Sequence, residues 1–121
     1  NFKRSPGIHS GEYVTDLNPT QGSEMQKQRP CVVISEDNLG RLPLKIVVPI
    51  TEWKDGFAEY IWMTKVTPNK SNNLSKLSAA DSFQVRSVDK ERFVRKKGVV
   101  SPEELEDIVA AIAILIRVQL D

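Results

Sequence analysis

Through the first hundred positions apolar residues tend to alternate with polar ones or gather in short runs; over the last twenty they recur every three or four. The first pattern is that of strands, the second that of an amphipathic helix. Residues 12–17 set Tyr13, Thr15 and Leu17 on one face and predict a strand. Residues 30–35 and 44–50 are β-branched apolar runs bounded by turn formers, the pattern of buried strands, with a turn at Asp37-Asn38-Leu39-Gly40 between them. Residues 58–64 alternate Tyr60 and Trp62 against Glu59, Ile61 and Met63 and predict a further strand, as do 79–85 and 93–100. The polar stretch 67–76, TPNKSNNLSK, predicts a loop and the most mobile one.

The helix has a marked start. Ser101 suits the cap, Pro102 the first helical position, and Glu104 completes a capping box. Leu105, Ile108, Val109, Ile112 and Ile116 follow at helical spacing, and Ala111, Ile114, Leu115 and Val118 widen the stripe beyond one face. Such a helix is expected to cover the sheet and also to meet a second copy of the chain. Five to seven short strands and one helix predict a mainly β fold with a C-terminal α-helix, closed as a small, strongly curved antiparallel barrel. Residues 11–121 form this one domain, and residues 1–10 are expected to be a flexible lead-in.

Composition narrows the class. The chain has 121 residues, 27% charged and 40% hydrophobic, ordinary for a soluble domain. Its single cysteine, Cys31, lies in an apolar run and its single histidine, His9, in the lead-in. There is thus no disulfide framework and no metal-ligand spacing, so a reducing cytoplasm and no cofactor are expected. The longest apolar run, 108–116, is too short to span a bilayer, so no membrane partner is expected. Net charge is only +1, but it is unevenly spread. Residues 101–121 hold five acids against Arg117, whereas the first hundred residues hold 16 bases and 11 acids. Six bases fall between Arg86 and Lys97: Arg86, Lys90, Arg92, Arg95, Lys96 and Lys97. A cationic surface of this kind suits a nucleic acid, and equally a strand edge guarded by lysines.

The polar connection 18–29 is long for two neighbouring strands, and long loops often carry function. It offers Asn18, Thr20, Gln21, Ser23, Glu24, Lys27 and Arg29, a set that suits gripping a phosphate and moving a proton.

Three segments then match one family in order. The first is Gly11-Glu12, Asp16-Leu17-Asn18-Pro19-Thr20, Gly22-Ser23-Glu24 and Arg29-Pro30. The second is Val47-Val48-Pro49-Ile50-Thr51, and the third Gln84-Val85-Arg86-Ser87-Val88-Asp89-Lys90 with Arg92, closed by Ser101-Pro102-Glu103-Glu104. From Gly11 onward the chain resembles the MazF/PemK toxins of bacterial toxin–antitoxin pairs, the mRNA interferases. The resemblance implies an SH3-like barrel of the CcdB/MazF/Kid type and a homodimer. It also implies metal-independent, sequence-specific cleavage of single-stranded RNA to a 2′,3′-cyclic phosphate, neutralised by a cognate antitoxin. The family's catalytic Arg falls on Arg29 and its Thr on Thr51; its first-loop Ser and Glu fall on Ser23 and Glu24, and its RNA-contacting Gln and Arg on Gln84 and Arg86. Two departures stand out: Met25-Gln26-Lys27-Gln28 replaces a stretch where members often carry glycine, and Ala80-Asp81-Ser82-Phe83 replaces the commoner apolar-plus-Asp pattern.

The chemistry fits these residue types. Attack by the 2′-hydroxyl needs a proton acceptor, a donor for the leaving 5′-oxygen, and stabilisation of the charge gathering on phosphorus. The planar fork of Arg29 suits the last task, and Thr51 and Ser23 offer neutral hydrogen bonds. Arginine holds its proton too tightly to serve as an ordinary base, so Glu24 is the candidate acceptor, with capping of its own loop as the alternative. Asn18, Thr20 and Trp53, beside Thr51, join Gln84 and Arg86 as candidate RNA contacts; Tyr60 and Trp62 fit strand packing better. CcdB gyrase poisons share the fold, and they lack the Arg-Pro and Gln-Val-Arg pattern present here. A catalytically weak RNA-binding member is the other alternative.

Overall fold

The computed structural model describes residues 11–18, 20–24, 27–37 and 41–119. The expected lead-in, and Asn38 to Gly40 of the expected turn, lie outside them. Seven strands run β1 (Gly11–Asp16), β2 (Gln28–Val33), β3 (Leu44–Glu52), β4 (Met63–Val66), β5 (Ser78–Asp81), β6 (Arg86–Asp89) and β7 (Phe93–Gly98), followed by helix α1 (Pro102–Leu115). All pairings are antiparallel, in the order β4-β5-β3-β2-β1-β7, with β6 also on β3.

Alternation along the strands builds two hydrophobic clusters on opposite faces. Tyr13, Leu17, Cys31, Val33, Val47 and Val88 meet on one, with Phe93 against them. Val32, Val48, Ile50, Val66 and Ala80 meet on the other, where Ile108 of α1 covers them. Consecutive residues such as Cys31 and Val32, or Val47 and Val48, serve opposite clusters, which is why these runs are apolar throughout. The capping box forms: the Ser101 hydroxyl accepts from the Glu104 N–H at 3.1 Å, and the Glu104 carboxylate accepts from the Ser101 N–H at 3.0 Å. The helix buries Ile108 and Ala111 and leaves Val109, Ile114 and Ile116 exposed.

The strand expected at 58–64 does not form. Its place is taken by a short 3-10 helix, Asp55–Glu59, and a turn, with strand pairing starting only at Met63. The alternating aromatics pack on one another instead: Tyr60 stacks on Trp62 with ring centres 4.7 Å apart, and Trp62 meets Phe83 edge-on at 5.3 Å. The strand expected at 79–85 stops at Asp81 for a reason of register. Ala80 pairs with Ile50 and Arg86 with Val47, so residues 81–85 stand against Val48 and Pro49 alone. The surplus rises out of the sheet as a 3-10 turn, Ser82–Gln84, and β6 resumes beyond it.

The stretch 67–76 is also not the loose loop its polarity predicts. Asn72 is fully buried; its Oδ1 accepts from the Asn69 and Leu74 N–H groups at 3.1 and 3.0 Å, and its Nδ2 donates to the Thr67 carbonyl at 2.9 Å. The segment is pinned to β7, since the Asn73 side chain donates to the Lys97 carbonyl and the Val99 N–H to the Ser71 carbonyl.

Candidate active site

Strand β2 carries Arg29 to the mouth of a cleft of about 330 Å³ that β3 lines with Thr51. The remaining walls come from elsewhere in the chain: Ser75 and Lys76 from the pinned segment, Ser78 from β5 and Lys97 from β7. Two residues 22 positions apart, selected from sequence for one task, thus share one cavity with Lys97 of the basic run and with Lys76, which the sequence did not single out. Lys76 also lies 4.0 Å from the Glu52 carboxylate; both side chains are well exposed, so the pair contributes little.

A second cleft, about 260 Å³, gathers Ser23 and Glu24 of the first loop with Phe83, Gln84 and Arg86. The Gln84 side chain donates to the Ser23 carbonyl at 3.3 Å, tying the loop to the 3-10 turn. Asp81 holds that turn by accepting from the Phe83 N–H at 3.0 Å, and burial pushes its carboxyl above the usual range. Cys31 of β2 lies near both Arg86 and Arg29, whose charges favour its thiolate. Burial nevertheless dominates there and pushes the thiol up to about 11.

The loop's own polar groups mostly hold its shape. The Glu24 carboxylate accepts from the Gln21 N–H at 2.6 Å while the Glu24 N–H donates to the Gln21 carbonyl at 3.1 Å. Asn18 closes the loop's base: its Oδ1 accepts from the Lys27 N–H at 3.1 Å, and the Leu17 N–H donates to the Lys27 carbonyl. Arg92 clamps the same base by donating to the Asp16 and Asn18 carbonyls. Lys27 has φ +67°, a left-handed backbone that glycine adopts more readily. Thr20 is half-buried in this loop. Trp53 follows the site but packs edge-on against Phe57 at 5.8 Å, with the Lys65 ammonium 4.7 Å from its ring centre.

Glu12, read from sequence only as part of the first matched segment, has an environment the sequence did not reveal. Glu12 on β1 is completely buried, both carboxyl oxygens lack a hydrogen-bond partner among the described residues, and burial pushes it up to about 7. Its place in the Gly11-Glu12 motif does not reveal this burial, which follows from the strand register.

The profile of a family described as PemK-like, MazF-like toxin of type II toxin–antitoxin system matches residues 13–116. A Mycobacterium tuberculosis protein named endoribonuclease MazF9 is 31% identical over 103 residues, spanning 80% of this chain and 85% of that protein. Among solved structures, MazF from Deinococcus radiodurans superposes with a TM-score of 0.75 at 17% identity, covering 95% of this chain and 99% of its own. An endoribonuclease in complex with its cognate antitoxin, from a mycobacterial species, gives 0.71 at 16% identity, covering 94% and 98%. The structural likenesses carry the fold, and the sequence matches carry the family: the chain belongs to the PemK-like, MazF-like toxins of type II toxin–antitoxin systems.

Proposed function

We propose that this toxin is an endoribonuclease that cuts single-stranded RNA at particular sequences, without a metal ion, leaving a 2′,3′-cyclic phosphate. The observation that carries the reading is the meeting of Arg29 and Thr51 in one lysine-flanked cleft of a MazF-like chain. The activity in the name of the 31%-identical relative supports it.

In this reading the 2′-oxygen attacks phosphorus, its proton leaves to a carboxylate, and the bond to the 5′-oxygen breaks as that oxygen takes up a proton. Arg29 binds the non-bridging oxygens and stabilises their added charge. Thr51 donates a hydrogen bond to the same phosphate, and Ser23 assists from the loop. Glu24 takes the proton once RNA draws its carboxylate away from the Gln21 N–H. Gln84 and Arg86, together with Asn18, Thr20 and Trp53, hold the flanking nucleotides and supply sequence preference. A cognate antitoxin neutralises the enzyme by covering this groove, and a second copy of the chain packs on the exposed side of α1 to form a homodimer.

The test is incubation of the purified protein with long single-stranded RNA in excess EDTA, with mapping of the product ends. Cleavage is expected to persist, to leave cyclic phosphate, and to fall about 10²- to 10³-fold in Arg29→Ala. Loss of cleavage in EDTA, or full activity of Arg29→Ala, contradicts the assignment. Intact RNA with gyrase-dependent DNA breaks replaces it with the gyrase-poison reading.

A further inference from the structure

Lys97 lines the Arg29–Thr51 cleft and lies close enough to Glu12 to act on its charge. Lys97 is half-buried near the end of β7 and lines that cleft. Glu12 pairs across from Gly98, the next residue along, and is 0% exposed with neither carboxyl oxygen hydrogen-bonded among the described residues. A buried carboxyl left in that state costs free energy and demands a physical reason. The charged and titratable groups acting on it come from two further elements: Lys97 of β7 favours its ionised form and Glu104 of α1 opposes it. Cys31 of β2 also feels the Glu12 charge, although its thiol stays protonated throughout the neutral range. Glu104 has one carboxylate oxygen committed to the helix cap. Lys97 is therefore the one cation among these neighbours, and it also lines the open cleft.

We infer that Lys97 is an additional phosphate-binding cation of this cleft and that the charge state of Glu12 sets how much of its field reaches the RNA. The inference rests on the RNA-binding reading of the cleft. Lysine offers a compact charge and three donors on a flexible stem, enough to serve a carboxyl on one side and a phosphate on the other. An ionised Glu12 draws the ammonium inward and offsets it; a protonated Glu12 leaves it to the phosphate. Conversely, a phosphate entering the cleft brings a second anion near Glu12 and favours its protonated form. Binding and proton uptake are thus coupled, and by linkage the coupling is reciprocal. Burial places the Glu12 transition at about 7, so the coupling operates around neutral pH.

The probe is a fluorescent, fully 2′-O-methylated single-stranded RNA of mixed sequence, which lacks the attacking hydroxyl and is not cut. Its affinity is measured by anisotropy against salt and pH, in a His9→Gln background so that the single histidine does not titrate in the same window. Lys97→Met is expected to bind roughly tenfold more weakly, with a log–log salt slope shallower by about 0.7, the signature of one lost phosphate contact on a single strand. Lys97→Arg should keep both. The parent's affinity should fall as pH rises through neutrality, and Glu12→Gln should remove that dependence while keeping the salt slope. Thermal melts confirm that each variant is folded. Unchanged affinity and slope in Lys97→Met overturn the phosphate contact, and an unchanged pH dependence in folded Glu12→Gln overturns the role of Glu12. Lys97-dependent binding without cleavage of ordinary RNA contradicts only the catalytic proposal; Arg29-dependent cleavage with Lys97-independent binding contradicts only this one.

Discussion

At Lys27 the chain keeps a backbone that its side chain disfavours. The left-handed φ of +67° costs an L-residue about 1–2 kcal/mol, whereas glycine there gives up about 0.5–1 kcal/mol of unfolded-state entropy. Lys27→Gly is therefore expected to raise the unfolding free energy by about 0.5–1 kcal/mol in a denaturant titration. A loss of stability would mean that the Lys27 side chain makes a compensating contact. Cys31 is the opposite case, a reactive residue made inert by its surroundings. With the thiol buried and pushed up to about 11, thiolate is scarce at neutral pH. Alkylation of the native protein near pH 8 should be slow and should become fast on unfolding, as followed by mass spectrometry. Arg29, Thr51, Gln84 and Arg86 stood out in the sequence as candidates because side-chain chemistry and motif coincide there, and the structure places them along two clefts. Lys76 did not stand out, and Glu12 and Lys97 did so only as parts of a motif and of a basic run, because their interest lies in neighbours that cross-strand register and packing supply.

At the level of elements, the segment 67–76 shows how a polar stretch becomes a wall. Its packing on β7 depends on Gly98: a Cβ there would lie 2.2 Å from the Ser71 carbonyl oxygen and 3.0 Å from Asn72 backbone atoms. Both obstacles are main chain, so the segment itself has to move. Gly98→Ala is expected to lift this wall, carrying Ser75 and Lys76 away from Arg29 and Thr51 and lowering RNA cleavage along with thermal stability. Asn72→Ala strips the hydrogen bonds from the same segment and should cost about 3 kcal/mol through the buried groups it leaves unpaired. If Gly98→Ala melts and cleaves like the parent, the segment is not a fixed wall. The strands with strict alternation or continuous β-branched runs, β1, β2, β3 and β7, were legible to within a few residues, as was the capped helix. The pattern at 58–64 misled because Tyr60 and Trp62 bury surface against each other rather than against a neighbouring strand. Strand β6 was missed because its four residues include only one buried apolar side chain, Val88.

For the molecule as a whole, Glu12 links stability to pH in a direction unusual for a carboxylate. Most acids gain favourable partners on folding and titrate lower in the native state; this one is held near 7 against an ordinary 4.5. Between those values the folded chain keeps a proton that the unfolded chain has released. Stability therefore falls as pH rises through this window, by the sign of the difference in bound protons. Below pH 4.5 both states are protonated and the group is neutral in the balance; above about 7 both are ionised and the whole cost of burying the charge is felt. At 1.36 kcal/mol per unit, the gap corresponds to a cost on the order of 3 kcal/mol. Asp81, also raised by burial, acts in the same sense, so the measurement that isolates Glu12 is a difference between variants. Unfolding free energies of the parent and of Glu12→Gln, compared from about pH 5 to about pH 8, should diverge in favour of the variant as pH rises. Lys97→Met offers the cross-check, since removing the cation that favours ionised Glu12 should displace the transition to higher pH. A gap between parent and Glu12→Gln that stays constant across the range would place the native titration of Glu12 below it, near the ordinary value, and remove the basis for coupling RNA binding to proton uptake.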